Sequence, residues 1–167
     1  MGLRERRPPT GWDEAVSRSY AHGSDVPAER SRSHLEALLR AHGCEGFAYG
    51  WTAEYDRIEF LWRGRQIRVV LPRPTREAFA LTPSGLARSD RQIDQALDGE
   101  NRRRWRALLL VVRAKIEAVE SKIATFEEEF LAYIVMPNNS TIGDILLPRL
   151  TDGSIAKQLL PAGEWPS

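Results

Sequence analysis

Residues 102–115, RRRWRALLLVVRAK, hold six positive side chains, and no Asp or Glu occurs between Asn101 and Ile116. Five of the six are arginines, whose planar, permanently charged forks match the oxygens of phosphates and carboxylates. The chemistry open to such a block is recognition of an anion rather than bond making. On a helix turning about 100° per residue, Arg102, Arg106 and Arg113 fall within one narrow arc and Arg103 flanks it. These four are the candidate nucleic-acid-binding residues. The competing reading is a solvated helix face whose arginines pair at i,i+4 with Asp98 or Glu100. The absence of acid over 102–115 tells against it.

Other reactive residue types lack the spacing their chemistry needs. His34 and His42 stand eight positions apart on one helix, too far to share a metal ion, and His22 lies outside that segment. Cys44 is the single cysteine, which excludes an internal disulfide and a cysteine-built zinc site. No histidine or acid is placed to activate it as a nucleophile. Glu127, Glu128 and Glu129 are consecutive; on a helix they diverge by about 100° each and cannot converge on one ion. Glu120-Ser121-Lys122 ends like a nuclease acid-x-lysine pattern but falls at a helix end instead of on a strand. Phosphate-cradling loop, dinucleotide fingerprint and nucleophile elbow are all missing. No catalytic residue, metal ligand or cofactor is therefore assigned, and a non-enzymatic role is expected.

The net charge of +1, from 24 basic and 23 acidic residues, confines any nucleic-acid site to a local patch. Arginine supplies all the basic residues except Lys115, Lys122 and Lys157. The apolar run Ala107–Val112 is far short of the roughly 20 residues that span a bilayer. No apolar run follows the basic N-terminus MGLRERRPPTGW. The chain reads as cytoplasmic, with no membrane partner.

The elements that must hold the arginines follow from periodicity. Residues 1–25, rich in Arg, Pro, Gly and Ser, read as a tail, although Trp12, Val16 and Tyr20 at i, i+4, i+8 allow a short docked helix. A single domain over 26–150 comes next, and 151–167 is a second tail. In the domain, Leu35, Leu38, Leu39 and His42 share a helix face capped by Ser31 or Ser33 and ended by Gly43. Three runs alternate as half-buried strands: GFAYGWT, RIEFLWR and RQIRVVLP. Arg63-Gly64-Arg65 forms a tight hairpin, and a longer turn falls at 53–56. Tyr49, Trp51, Phe60 and Trp62 lie on the face turned to the core, which outweighs a base-stacking role. Arg57, Arg63, Arg65, Arg68 and Arg73 gather at the strand ends and extend the basic patch.

A polar connection leads to a long helix from Ser89 to Ser121, whose stripe of Trp105, Leu108, Leu109, Val112, Ile116 and Val119 faces inward. Thr125 with Glu128 and Thr141 with Asp144 have the spacing of caps on two further helices. The fold class is thus α+β: a three-stranded antiparallel sheet packed against helices, in the order α-β-β-β-α-α with a short C-terminal helix. Double-stranded-RNA-binding domains have the same α-β-β-β-α order, an analogy of fold alone from which the long 72–89 connection departs. The acidic, basic and acidic blocks of the long helix suit antiparallel pairing with a second copy, so a homodimer is expected.

The segments PAERSRSHLEALL, GFAYGW, IRVVLPRP, RWRALLLVVRAKIEAVES and TFEEEFLAYIVMPNNSTIGDILLP resemble those of a family of short proteins encoded in phage genomes and prophage regions. The resemblance covers about residues 26–150 and is most specific from Arg104 to Glu129. The family has no assigned activity, so it implies a setting, a phage gene product acting inside a bacterial host cell. Asp98-Gly99 departs from the uninterrupted helix expected of the family. The function expected is a nucleic-acid-binding accessory protein. The alternatives are a module that binds a host or phage protein and a binder of small nucleotide ligands.

Overall fold

The computed structural model describes residues 26–155, with side chains from residue 29 onward. The segment holding Trp12, Val16 and Tyr20, and most of the C-terminal tail, lie outside them. The described chain is α+β. Helix α1 (Val26–Ala41) precedes an antiparallel sheet of β1 (Gly46–Trp51), β2 (Tyr55–Trp62) and β3 (Arg65–Pro72) in the order β1-β2-β3. Helices α2 (Asp90–Glu120), α3 (Phe126–Phe130) and α4 (Ile142–Thr151) follow.

The start of α1 differs from the expectation. Neither Ser31 nor Ser33 caps it; it begins at Val26, and Ser31 is buried within it. Pro27 is tolerated in a first turn because its missing N–H has no helical partner there. Glu29 adds negative charge near the positive end of the helix. The other end follows the sequence: Gly43 takes φ +79°, the left-handed conformation in which glycine meets no Cβ clash.

Period-two alternation sets the sheet faces. Ile58, Phe60 and Trp62 of β2 and Ile67 and Val69 of β3 are buried against the helices. Register pairs Phe60 with Phe47 and Ile67, and Ile58 with Tyr49 and Val69. Arg63 and Gly64, both at positive φ, link β2 to β3 in a two-residue loop matched to the strand twist. The first turn is shorter than expected, because β2 already begins at Tyr55.

Helix α2 runs without interruption for 31 residues, about 46 Å, and passes straight through Asp98-Gly99. Ser89 caps it reciprocally with Gln92, and Ser121 closes it. Its buried residues are Ile93, Trp105, Leu108, Val112, Ile116 and Val119. Leu109 is only partly buried, a correction to its place in the stripe. Both expected capping boxes, Thr125 with Glu128 and Thr141 with Asp144, are present. Phe126 and Phe130 of α3 pack edge-on against Trp62 at 5.4 and 5.6 Å. At the base of α4, Gly143 lies where a Cβ would come within 2.6 Å of the Ala132 carbonyl oxygen, so only glycine allows that approach.

Helices α1 and α2 run parallel. At one end Arg32 stacks on Tyr49, 4.1 Å from the ring centroid, and Tyr49 packs on Trp105 at 5.8 Å. At the other, His42 Nδ1 lies 2.8 Å from Glu120 Oε1.

Candidate nucleic-acid interface

The basic block of α2 separates into two sets. Arg103 makes two hydrogen bonds of 2.7 Å to Glu100, through Nε and Nη2. Arg104 donates to Glu100 Oε1 at 2.8 Å and to the Pro72 carbonyl at 2.7 Å, tying α2 to the end of β3. Lys115 donates to the Glu129 carbonyl and carboxylate at 2.8 and 3.0 Å, tying α2 to α3. Arg102, Arg106 and Arg113 are exposed and have no hydrogen bond or ion pair among the described residues.

These three side chains leave the helix within an arc of about 40° and span about 16 Å along its axis. The apolar stripe that buries α2 against the sheet fixes that direction, so folding orients the arginines before any ligand arrives. Arg103 is exposed beside them. Three of the four predicted residues therefore share one face, while Arg103 lies to one side of it and is held by an acid. The pairing of Glu100 with Arg103 and Arg104 is the solvated-face chemistry, confined to the first turn of the block. Hydrogen bonds from Arg103 and then Arg104 hold the Glu100 carboxyl down to about 2.

Two further basic residue types lie on α1, which packs beside α2. Counting back from the His42–Glu120 bond along the parallel helices at about 1.5 Å per residue puts His34 level with Val112, next to Arg113, and Arg30 level with Leu108, two residues from Arg106. Both are exposed. Sequence reading missed them because it treated α1 by itself; the missing signal was the parallel pairing, which spacing within one helix does not encode.

Three of the five sheet arginines, Arg57, Arg68 and Arg73, are engaged elsewhere, contrary to expectation, while Arg63 and Arg65 are exposed. Asp56 is 1% exposed, and its Oδ1 accepts from Arg73 Nη2 at 2.7 Å and from the Tyr49 hydroxyl at 2.8 Å. Burial, then the hydrogen bond to Asp56, pushes the Tyr49 hydroxyl up to about 12. Glu59, 4% exposed, accepts from Arg68 Nε and Gln66 Nε2, both at 2.6 Å, with Arg57 at 3.6 Å. Arg68 also binds Asn139 through its carbonyl and side-chain oxygens. Arg57, Arg68 and Arg73 are thus engaged by buried carboxylates, while Arg63 lies over Trp62.

Nor do the sheet aromatics form a stacking platform. Phe60 and Trp62 are buried, and Tyr49 is partly covered. Trp51, expected on the core side, is 47% exposed with Arg73 over its ring.

Among the described residues no His, Cys, Asp or Glu cluster could hold a metal, and no helix is long and apolar enough to cross a membrane. Burial and neighbouring Glu45 push the Cys44 thiol up to about 11, far from a nucleophile's range. A hollow of about 390 Å³ beside the α2–α3 turn is lined by residues including Arg63, Lys122, Glu127 and Glu128. It is open to solvent and carries both signs of charge. No protein-family model, curated protein or solved structure matches the chain.

Proposed function

We propose that the protein is a non-enzymatic nucleic-acid-binding accessory protein, phage- or prophage-encoded and acting in the cytoplasm of a bacterial host. One observation carries the reading: Arg102, Arg106 and Arg113 share an exposed face with no acid to neutralise them among the described residues. Elsewhere Arg32, Arg40, Arg57, Arg68, Arg73, Arg76, Arg103 and Arg104 each meet a carboxylate. Unpaired guanidinium groups on a rigid helix suit phosphate oxygens, whose counterions they displace on binding. Contacts of this kind read the backbone and not the bases, so affinity should vary little with sequence.

The test is fluorescence anisotropy with labelled single- and double-stranded DNA and RNA. Three phosphate contacts predict a slope of log affinity against log salt of roughly −3. Mononucleotides should bind far more weakly than polymers. Absence of binding to every polymer at low salt overturns the proposal.

A second reading, a module for a host or phage protein, is favoured by α4, which leaves Leu146, Leu147 and Leu150 exposed. It predicts capture of a protein partner that survives high salt and is lost when these leucines become serine.

A further inference from the structure

The outer surface of α2 is not uniformly charged. Beside the arginine stripe runs a second band, Arg103, Ala107, Leu110, Ala114 and Glu117, spaced 4-3-4-3 and exposed throughout. Leu110 is 63% exposed and the adjoining Val111 48%, on a helix whose inward face is already fully used. A 4-3-4-3 band is the spacing of a helix–helix seam, and the two alanines permit close approach of a second helix.

We infer that this band is a two-fold interface, with α2 of a second copy lying antiparallel across it and the axis close to Leu110. Charge complementarity selects this occupant: Arg103 holds Glu100 through Nε and Nη2, which leaves its Nη1 for a carboxylate of a second copy. An antiparallel pair centred on Leu110 sets Leu110 against its own copy, Ala107 near Ala114 of the second copy, and Arg103 against Glu117. Symmetry makes the Arg103–Glu117 pair twice, at the two ends of the apolar centre. Parallel pairing in register would instead oppose Arg103 to Arg103 and Glu117 to Glu117.

The geometry has a consequence for the arginine stripe. That stripe lies about 90° around α2 from the centre of the seam. The two-fold axis is perpendicular to the plane of the paired helices, so it keeps whatever points along it on the same side. Arg102, Arg106 and Arg113 of both copies therefore face one way, doubling the basic surface. The interface itself does not rest on the nucleic-acid reading; a dimer that binds no polymer leaves it standing.

Sedimentation equilibrium of the full chain from about 1 to 200 µM tests it, since a seam this short falls at the small end of interface sizes. The parent should dimerise within that range. Arg103→Glu alone and Glu117→Arg alone should each weaken the dimer about tenfold, because each change turns two attractive pairs repulsive. The double variant should recover most of the loss. Both changed residues lie on an exposed face, and unchanged melting temperatures would verify folding. A monomer at every concentration overturns the interface, as does a dimer indifferent to both single reversals or one that the double variant fails to rescue.

Discussion

The sheet and the long helix use arginine in opposite ways. On the sheet, Arg68 and Arg73 reach carboxylates, Glu59 and Asp56, that the fold has almost wholly withdrawn from water. A buried carboxylate without a cationic partner is strongly destabilising, so these arginines are conditions of folding. On α2, Arg102, Arg106 and Arg113 meet no acid among the described residues and lie over no buried group. The same side chain is a structural counter-ion in one place and an unspent charge in the other. A count of basic residues does not separate the two; the position of the acids does.

The largest expected effect breaks the sheet side. Arg68→Ala leaves Glu59 with Arg57 and Gln66 alone, and should cost about 3 kcal/mol of stability by urea denaturation. Arg106→Ala, on the helix side, should cost less than about 0.5 kcal/mol. Equal losses would erase the distinction.

A second pair sharpens it within α2 itself. Val112→Asp buries an unpaired charge at a site 2% exposed and should unfold the protein or destabilise it by several kcal/mol. Leu110→Asp, two residues earlier, should leave stability within about 0.5 kcal/mol while removing the dimer. Leu109→Ala should fall below the roughly 2–5 kcal/mol of a full core truncation, because Leu109 is only partly buried.

Glu100 is the intermediate case, an acid within the helix block that engages Arg103 and Arg104. Its carboxyl is depressed in the folded state, so the stability it supplies is present above its ordinary value of 4.5 and is lost as pH falls toward about 2. Thermal melts between those limits should fall more steeply for the parent than for Glu100→Gln. The difference should be small because Arg103 is largely solvated.

Much of this was legible in advance. The caps at Thr125 and Thr141, with their partners three residues on, marked the starts of α3 and α4. Apolar spacing along α2 set which way its arginines point. Arg68 and Arg73 were read as part of a basic patch without regard to their acid partners, Glu59 and Asp56. Yet Asp56 falls in the same alternation as Ile58, Phe60 and Trp62, which places it on the inward face, and its burial there follows from period two alone. The pairing of Glu59 with Arg68 needs the register of β2 on β3, which no single strand contains. Trp51 ends β1, an edge strand, and its ring is left half exposed beneath Arg73.

The salt dependence of nucleic-acid binding, compared between two variants of equal charge, tests the central claim most directly. Arg102→Gln with Arg106→Gln removes two unpaired arginines; Arg40→Gln with Arg76→Gln removes two that already pair with Glu36, Asp90 and Asp94. The slope of log affinity against log salt should fall from roughly −3 to about −1 for the first variant and stay near the parent value for the second. Equal flattening in both variants would show that net charge alone governs binding and would contradict the account.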